Sequence, residues 1–152
     1  MSSTRVGRHV NAPRTVVYHA LLDARAVATW MVPAGMTGHV HAFDAREGGS
    51  IRISLTYDGP TGTGKTTART DTYHGRFVKL VADEQVVEVV EFETTDPALR
   101  GEMTITISLS DSGGGTDVLA VHDGVPRGVP TPDNEAGWRA ALEKLAALVE
   151  AG

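Results

Sequence analysis

The stretch DNEAGWRAALEKLAALVEA, residues 133–151, decides the fold. Trp138, Leu142, Leu145 and Val149 recur at steps of four, three and four, which puts one Trp and three aliphatics on a single stripe of a helix. Ala141 and Ala146 widen the stripe, and Arg139, Glu143, Lys144 and Glu150 fall on the other side. Thr131, Pro132, Asp133 and Asn134 make a start signal: capping side chains, and a Pro that the first turn tolerates. A lone helix with one apolar stripe needs a surface to cover. Nearly everything from Gly38 to Gly124 reads as strand, so that surface is a sheet. The expected architecture is α+β: a curved antiparallel sheet wrapped around this helix.

Working back from it, residues 4–10 read as a first, polar strand. Asn11 then serves as a cap and Pro13 sits in the first turn of a helix whose stripe is Val16, Val17, Ala20 and Leu21. Residues 23–29 form a second short helix, closed by Trp30 and Pro33. Six strands follow. Ile51, Ile53, Leu55 and Tyr57 alternate with Arg52, Ser54 and Thr56, and Met103, Ile105, Ile107 and Leu109 alternate with Thr104, Thr106 and Ser108. Short turns at Gly48-Gly49, Asp83 and Gly113-Gly114 imply an antiparallel meander with one wet and one buried face.

The chain has 152 residues, 41% of them apolar and 22% charged, with a formal charge of −5 and no cysteine. That length suits a single domain, residues 1–152, with a sizeable core. The acidic balance speaks against nucleic acid as partner. The lack of Cys removes disulfides, thiolate nucleophiles and Cys-type zinc sites. No apolar run suits a signal peptide or a membrane span, so a cytoplasmic location without membrane insertion is expected.

Residues 59–66, GPTGTGKT, satisfy the phosphate-loop pattern G-x-x-x-x-G-K-[ST]. The chemistry of that loop needs a helix after it, because the helix N-terminus supplies much of the anion site. Thr66, Thr67, Arg69, Thr70 and Thr72 favour strand or turn instead, so the stretch reads as a hairpin loop. His39 and His41 share one strand face and could form half a metal site, but nothing places a third ligand beside them. His122 ends the last strand and could act as a general base or as a hydrogen-bond donor to a ligand. Asp123 points to the opposite face and cannot orient it. No catalytic residues, metal ligands or cofactor are therefore assigned.

What remains is apolar. A strongly bent sheet and one helix need not fill the space between them, and such a gap makes a mostly apolar pocket with polar groups at its rim. Solid core and pocket are equally open on this pattern. The candidate wall is Trp30, Met36, Phe43, Tyr57, Tyr73, Phe92, Met103, His122 and Trp138, with the facing of Met36, Phe43, Tyr73 and Phe92 unfixed by the alternation.

The order of elements, with several short motifs, resembles the superfamily of START domains, birch-pollen-allergen-type proteins and polyketide cyclases. Within it the chain is most similar to the branch named for the activator of the heat-shock protein 90 ATPase. The residues that carry the resemblance are Asn11-Ala12-Pro13 with the helix after it, Trp30, Asp44-Ala45-Arg46-Glu47-Gly48-Gly49, and Tyr73-His74-Gly75-Arg76-Phe77. His122-Asp123-Gly124-Val125-Pro126 and Gly137-Trp138 with Leu142, Leu145 and Leu148 complete it. The resemblance implies a helix-grip fold of about seven strands around the long C-terminal helix, with two short helices after the first strand. It also implies a cavity between sheet and helix. The expected function is non-enzymatic binding of a small hydrophobic or amphipathic molecule. The alternatives are a cyclase- or aromatase-type enzyme acting on a polyketide-like substrate, with His122 or Tyr57 as acid or base, and a chaperone-associated stress-response module. The last would use Leu119 and Val121 on the outer sheet face for a homodimer or chaperone contact.

Overall fold

The computed structural model describes residues 2–33, 35–58 and 70–151. The phosphate-loop pattern at residues 59–66 lies outside them. The chain runs β1 (Ser2–Val10), α1 (Arg14–Leu21), α2 (Ala24–Trp30), β2 (Met36–Phe43), β3 (Ser50–Tyr57), β4 (Thr70–Val81), β5 (Gln85–Phe92), β6 (Met103–Ser112), β7 (Gly115–Val125) and α3 (Thr131–Glu150). The seven strands form one antiparallel sheet in the order β1-β7-β6-β5-β4-β3-β2. Strands β2 to β7 are the expected meander, and β1 closes the far edge against β7. This is the helix-grip α+β fold, with α3 held by the sheet. No helix among the described residues is long and apolar enough to cross a membrane.

Alternation sets the two faces. Ile51, Ile53, Phe77, Val86, Val90, Met103, Ile105, Ile107, Leu109, Val118 and Ala120 are buried on the concave side. The convex side carries Arg52, His74, Glu91 and Glu93, joined by a two-pronged Arg52–Glu93 pair at 2.8 and 3.0 Å. Leu119 and Val121 lie on this side too, partly buried. Gly75 lies on the inner face of β4, paired with Ile51 and Val90. A Cβ there would stand 1.9 Å from the Val89 carbonyl oxygen, so only glycine lets β4 and β5 approach this closely. At the β6–β7 hairpin, Gly113 and Gly114 both have positive φ, the turn whose twist matches paired strands.

The α3 stripe is buried as its spacing requires: Trp138, Leu142, Leu145, Ala146 and Val149. Leu148 lies off the stripe and is 38% exposed. Lys144 is no simple solvent-facing charge, since its ammonium donates to the Val32 carbonyl and ties α3 to the end of α2. Two helix starts differ from expectation. Asn11 does not cap α1; Pro13 holds that position, and the Asn11 backbone N–H instead donates to Glu150 at 2.8 Å. Pro130 precedes α3, and no side chain caps it. In α1 the buried set is Val17, Tyr18, Ala20 and Leu21, and Val16 turns outward. Asp23 does cap α2, accepting from the N–H groups of Arg25 and Ala26.

Candidate functional site

Between the first turns of α3 and the concave face of β3 to β7 the packing stops, leaving a half-enclosed cavity of about 470 Å³. Met36, Tyr57, Tyr73, Phe92, Met103, His122 and Trp138 all line it. Trp30 and Phe43 do not. Trp30 is core: its indole N–H donates to the Ala20 carbonyl at 3.1 Å and locks α2 onto α1. The register shift between Val40 and Ala42 brings Phe43 to the inner sheet face opposite Ile51, but there its ring packs edge-to-face on Phe77 at 5.3 Å and does not reach the cavity.

Several wall residues escaped the sequence reading. Met31 and Pro33 come from the end of α2, and Gly128, Val129 and Pro130 from the loop before α3. Asp133 and Asn134 come from the first turn of α3. The side-chain oxygen of Asn134 is buried without a hydrogen-bond partner. Asp71 also lines the cavity, with only 2% of its surface exposed. It lies two residues before Tyr73, so extending the β4 alternation backwards places it on the inner face.

His122 sits at the centre of the polar contacts. The Trp138 indole N–H donates to its Nδ1 at 3.0 Å, and its Nε2 stands 3.1 Å from the Met103 sulfur. An indole nitrogen only donates, so Nδ1 holds a lone pair and Nε2 carries the proton. Burial pushes the imidazole down to about 4, against a weaker opposing pull from Asp123. A second proton on Nδ1 would face the Trp138 N–H, so the ring is neutral near pH 7. Asp123 points outward and accepts from the Ser3 hydroxyl at 2.6 Å.

In the same cross-strand row of the concave face as His122, beyond Ile105, stands Glu88, in register between Phe77 and Ile105. Its side chain keeps partial access, yet burial among apolar neighbours pushes its carboxyl up to about 7. Burial, and then this carboxyl, raise the Tyr73 hydroxyl. On the convex face the rings of His39 and His41 pack edge-to-face at 4.4 Å, and His41 Nε2 contacts the Ser54 hydroxyl at 2.7 Å. Among the described residues no cluster of three His, Asp or Glu side chains could hold a metal.

The profile of the family described as "Activator of Hsp90 ATPase homolog 1-like protein" matches residues 11–150. Among curated proteins none matches. A solved structure from Chromobacterium violaceum is 31% identical, covers 99% of each chain and superposes with a TM-score of 0.87. A Rhodobacter sphaeroides protein is 20% identical over 99% of this chain and 93% of its own, with a TM-score of 0.80. A protein of the dynemicin biosynthetic locus is 22% identical over 99% of this chain and 48% of its own, with a TM-score of 0.69. The last two speak for the fold alone. The match across nearly all of the sequence, on this architecture, settles the family: the chain belongs to the activator of Hsp90 ATPase homolog 1-like proteins.

Proposed function

We propose that the protein is a non-enzymatic binder of a small hydrophobic or amphipathic molecule, held between α3 and the sheet. The observation that carries this reading is the cavity itself. Its volume of about 470 Å³ and its largely apolar wall, with a few polar groups, suit a small-molecule site. The state of His122 favours binding over catalysis. Both ring nitrogens are engaged within the wall, and an imidazole held near 4 is a weak base at neutral pH. Native mass spectrometry of the purified protein against Gly137→Leu tests it. Gly137 lines the cavity, and a Cβ there meets nothing within 4 Å, so the leucine has room to enter the space. A defined small-molecule adduct on the wild type that the variant lacks is the expected result. Equal adducts on both, or none on either after exposure to a lipid and aromatic library, would overturn the reading.

The cyclase-type alternative has one observation on its side, the fold shared with a protein of the dynemicin biosynthetic locus. It would need an acid or base other than His122. Tyr57, Tyr73 and Asp71 on the wall are the groups to substitute, with turnover of a polyketide-like substrate as the readout.

A further inference from the structure

The polar side chains on the sheet side of the cavity are Tyr57, Asp71, Tyr73 and His122. Tyr57 and Asp71 are each engaged within the chain, and both ring nitrogens of His122 are committed. The Tyr73 hydroxyl differs. Among the described residues it has no hydrogen-bond partner, and the side chains in register on either side of it, Ile53 and Phe92, can offer none. It is not sealed in either: the buried side-chain oxygens that lack both partner and open surface belong to Thr4 and Asn134. Tyr73 is 9% exposed and stands on the inner face, so the surface its oxygen keeps is cavity surface. The Asn134 oxygen, by contrast, is out of a ligand's reach.

A molecule seated here strips water from this hydroxyl. A donor left unmatched costs binding, whereas an oxygen acceptor on the ligand restores the bond. A wall with an unpaired donor therefore rejects ligands that lack the acceptor. The acceptor is uncharged. Burial, and then the Glu88 carboxyl, oppose negative charge at the Tyr73 oxygen, and they oppose it also on a group bonded to that oxygen. A carbonyl fits best, because it accepts without bringing a donor that needs a partner of its own. We infer that Tyr73 is a specificity-determining residue of this site, donating a hydrogen bond from its hydroxyl to an uncharged carbonyl oxygen on an otherwise apolar ligand. The inference rests on the cavity being a ligand site and names the group by which that site tells one apolar molecule from another.

The test uses two probes of one shape, 2-acetylnaphthalene and 2-isopropenylnaphthalene, which differ by a carbonyl oxygen in place of a methylene. Each displaces a neutral naphthylamine dye from the full chain and from Tyr73→Phe. Loss of the hydroxyl is expected to weaken the ketone by about fivefold, the scale of one neutral hydrogen bond, and to leave the hydrocarbon as tight or tighter. The infrared band of the bound ketone carbonyl gives a second reading on the wild type alone, and decides the matter if the variant does not fold. A band below its position in hexane is expected. Equal ketone affinity for the two proteins, equal weakening of both probes, or a band at the hexane position overturns the inference and leaves the binding reading standing. Failure of both probes, and of the dye, brings down the binding reading and the inference together.

Discussion

The two halves of α3 meet the same sheet with opposite results. In the C-terminal half, Leu142, Leu145, Ala146 and Val149 are buried in one cluster with Val6 and Val10 of β1 and Val17 and Leu21 of α1. In the N-terminal half the stripe continues through Trp138, yet the helix covers empty space. The difference is in side-chain size. Gly137 and Ala141 project little from the cavity-facing turns of α3. An apolar stripe states which side of a helix is buried; the volumes along it state whether burial leaves a void.

Truncation should separate the halves most clearly. Leu145→Ala removes a fully buried side chain from the packed half, and about 2–5 kcal/mol of stability should go with it. Met36→Ala, on the partly exposed cavity wall, should cost about 1 kcal/mol or less. Urea melts measure both, and equal losses would break the comparison.

Next in size is a pair of opposed pH effects. His122 titrates at 6.5 when unfolded and about 4 when folded, so between those values the unfolded chain takes up the extra proton and stability falls as pH drops. Glu88 goes the other way, from 4.5 to about 7. Its folded form keeps a proton that the unfolded form has lost, so its contribution is full below 4.5 and is lost as pH rises through 7. Each is worth up to about 3 kcal/mol, and over the shared window they largely cancel. Glu88→Gln should unmask a stability that rises from pH 4 to 6.5, and His122→Gln one that falls from pH 4.5 to 7. Parallel profiles for the two variants would contradict the assignment.

The smallest effect sharpens the hollow half. Gly137→Ala should raise stability by about 0.5–1 kcal/mol, because it removes a helical glycine at a site where the new methyl touches nothing. A loss of stability would mean that the space around Gly137 is filled.

Most of the architecture was legible in the sequence because hydropathy and periodicity agree there. The α3 stripe, and the alternations Ile51-Ile53 and Met103-Ile105-Ile107, admit one reading each. The concave carboxyls were hidden for a definite reason. Val86-Val87-Glu88-Val89-Val90 places valines on both faces, so polarity points Glu88 outward, whereas the register puts it beside Ile105. Asp71 sits between Thr70 and Thr72, where every residue is polar and alternation carries no contrast. Phe43 does reach the inner face, opposite Ile51, but at the end of β2 its ring packs on Phe77 away from the cavity, and position along a strand leaves no mark in alternation. Trp30 is ambiguous in the sequence because a large aromatic at a helix end suits a core and a pocket equally well.

The function proposed requires the space under Trp138 to accept an apolar molecule. The most direct measurement is a titration of the wild type and Gly137→Leu with a neutral naphthylamine dye, read by dye emission and by Trp138 fluorescence. The account predicts saturable one-to-one binding to the wild type that the leucine abolishes while the fold persists. Unsaturable uptake, or the same isotherm for both proteins, would contradict it.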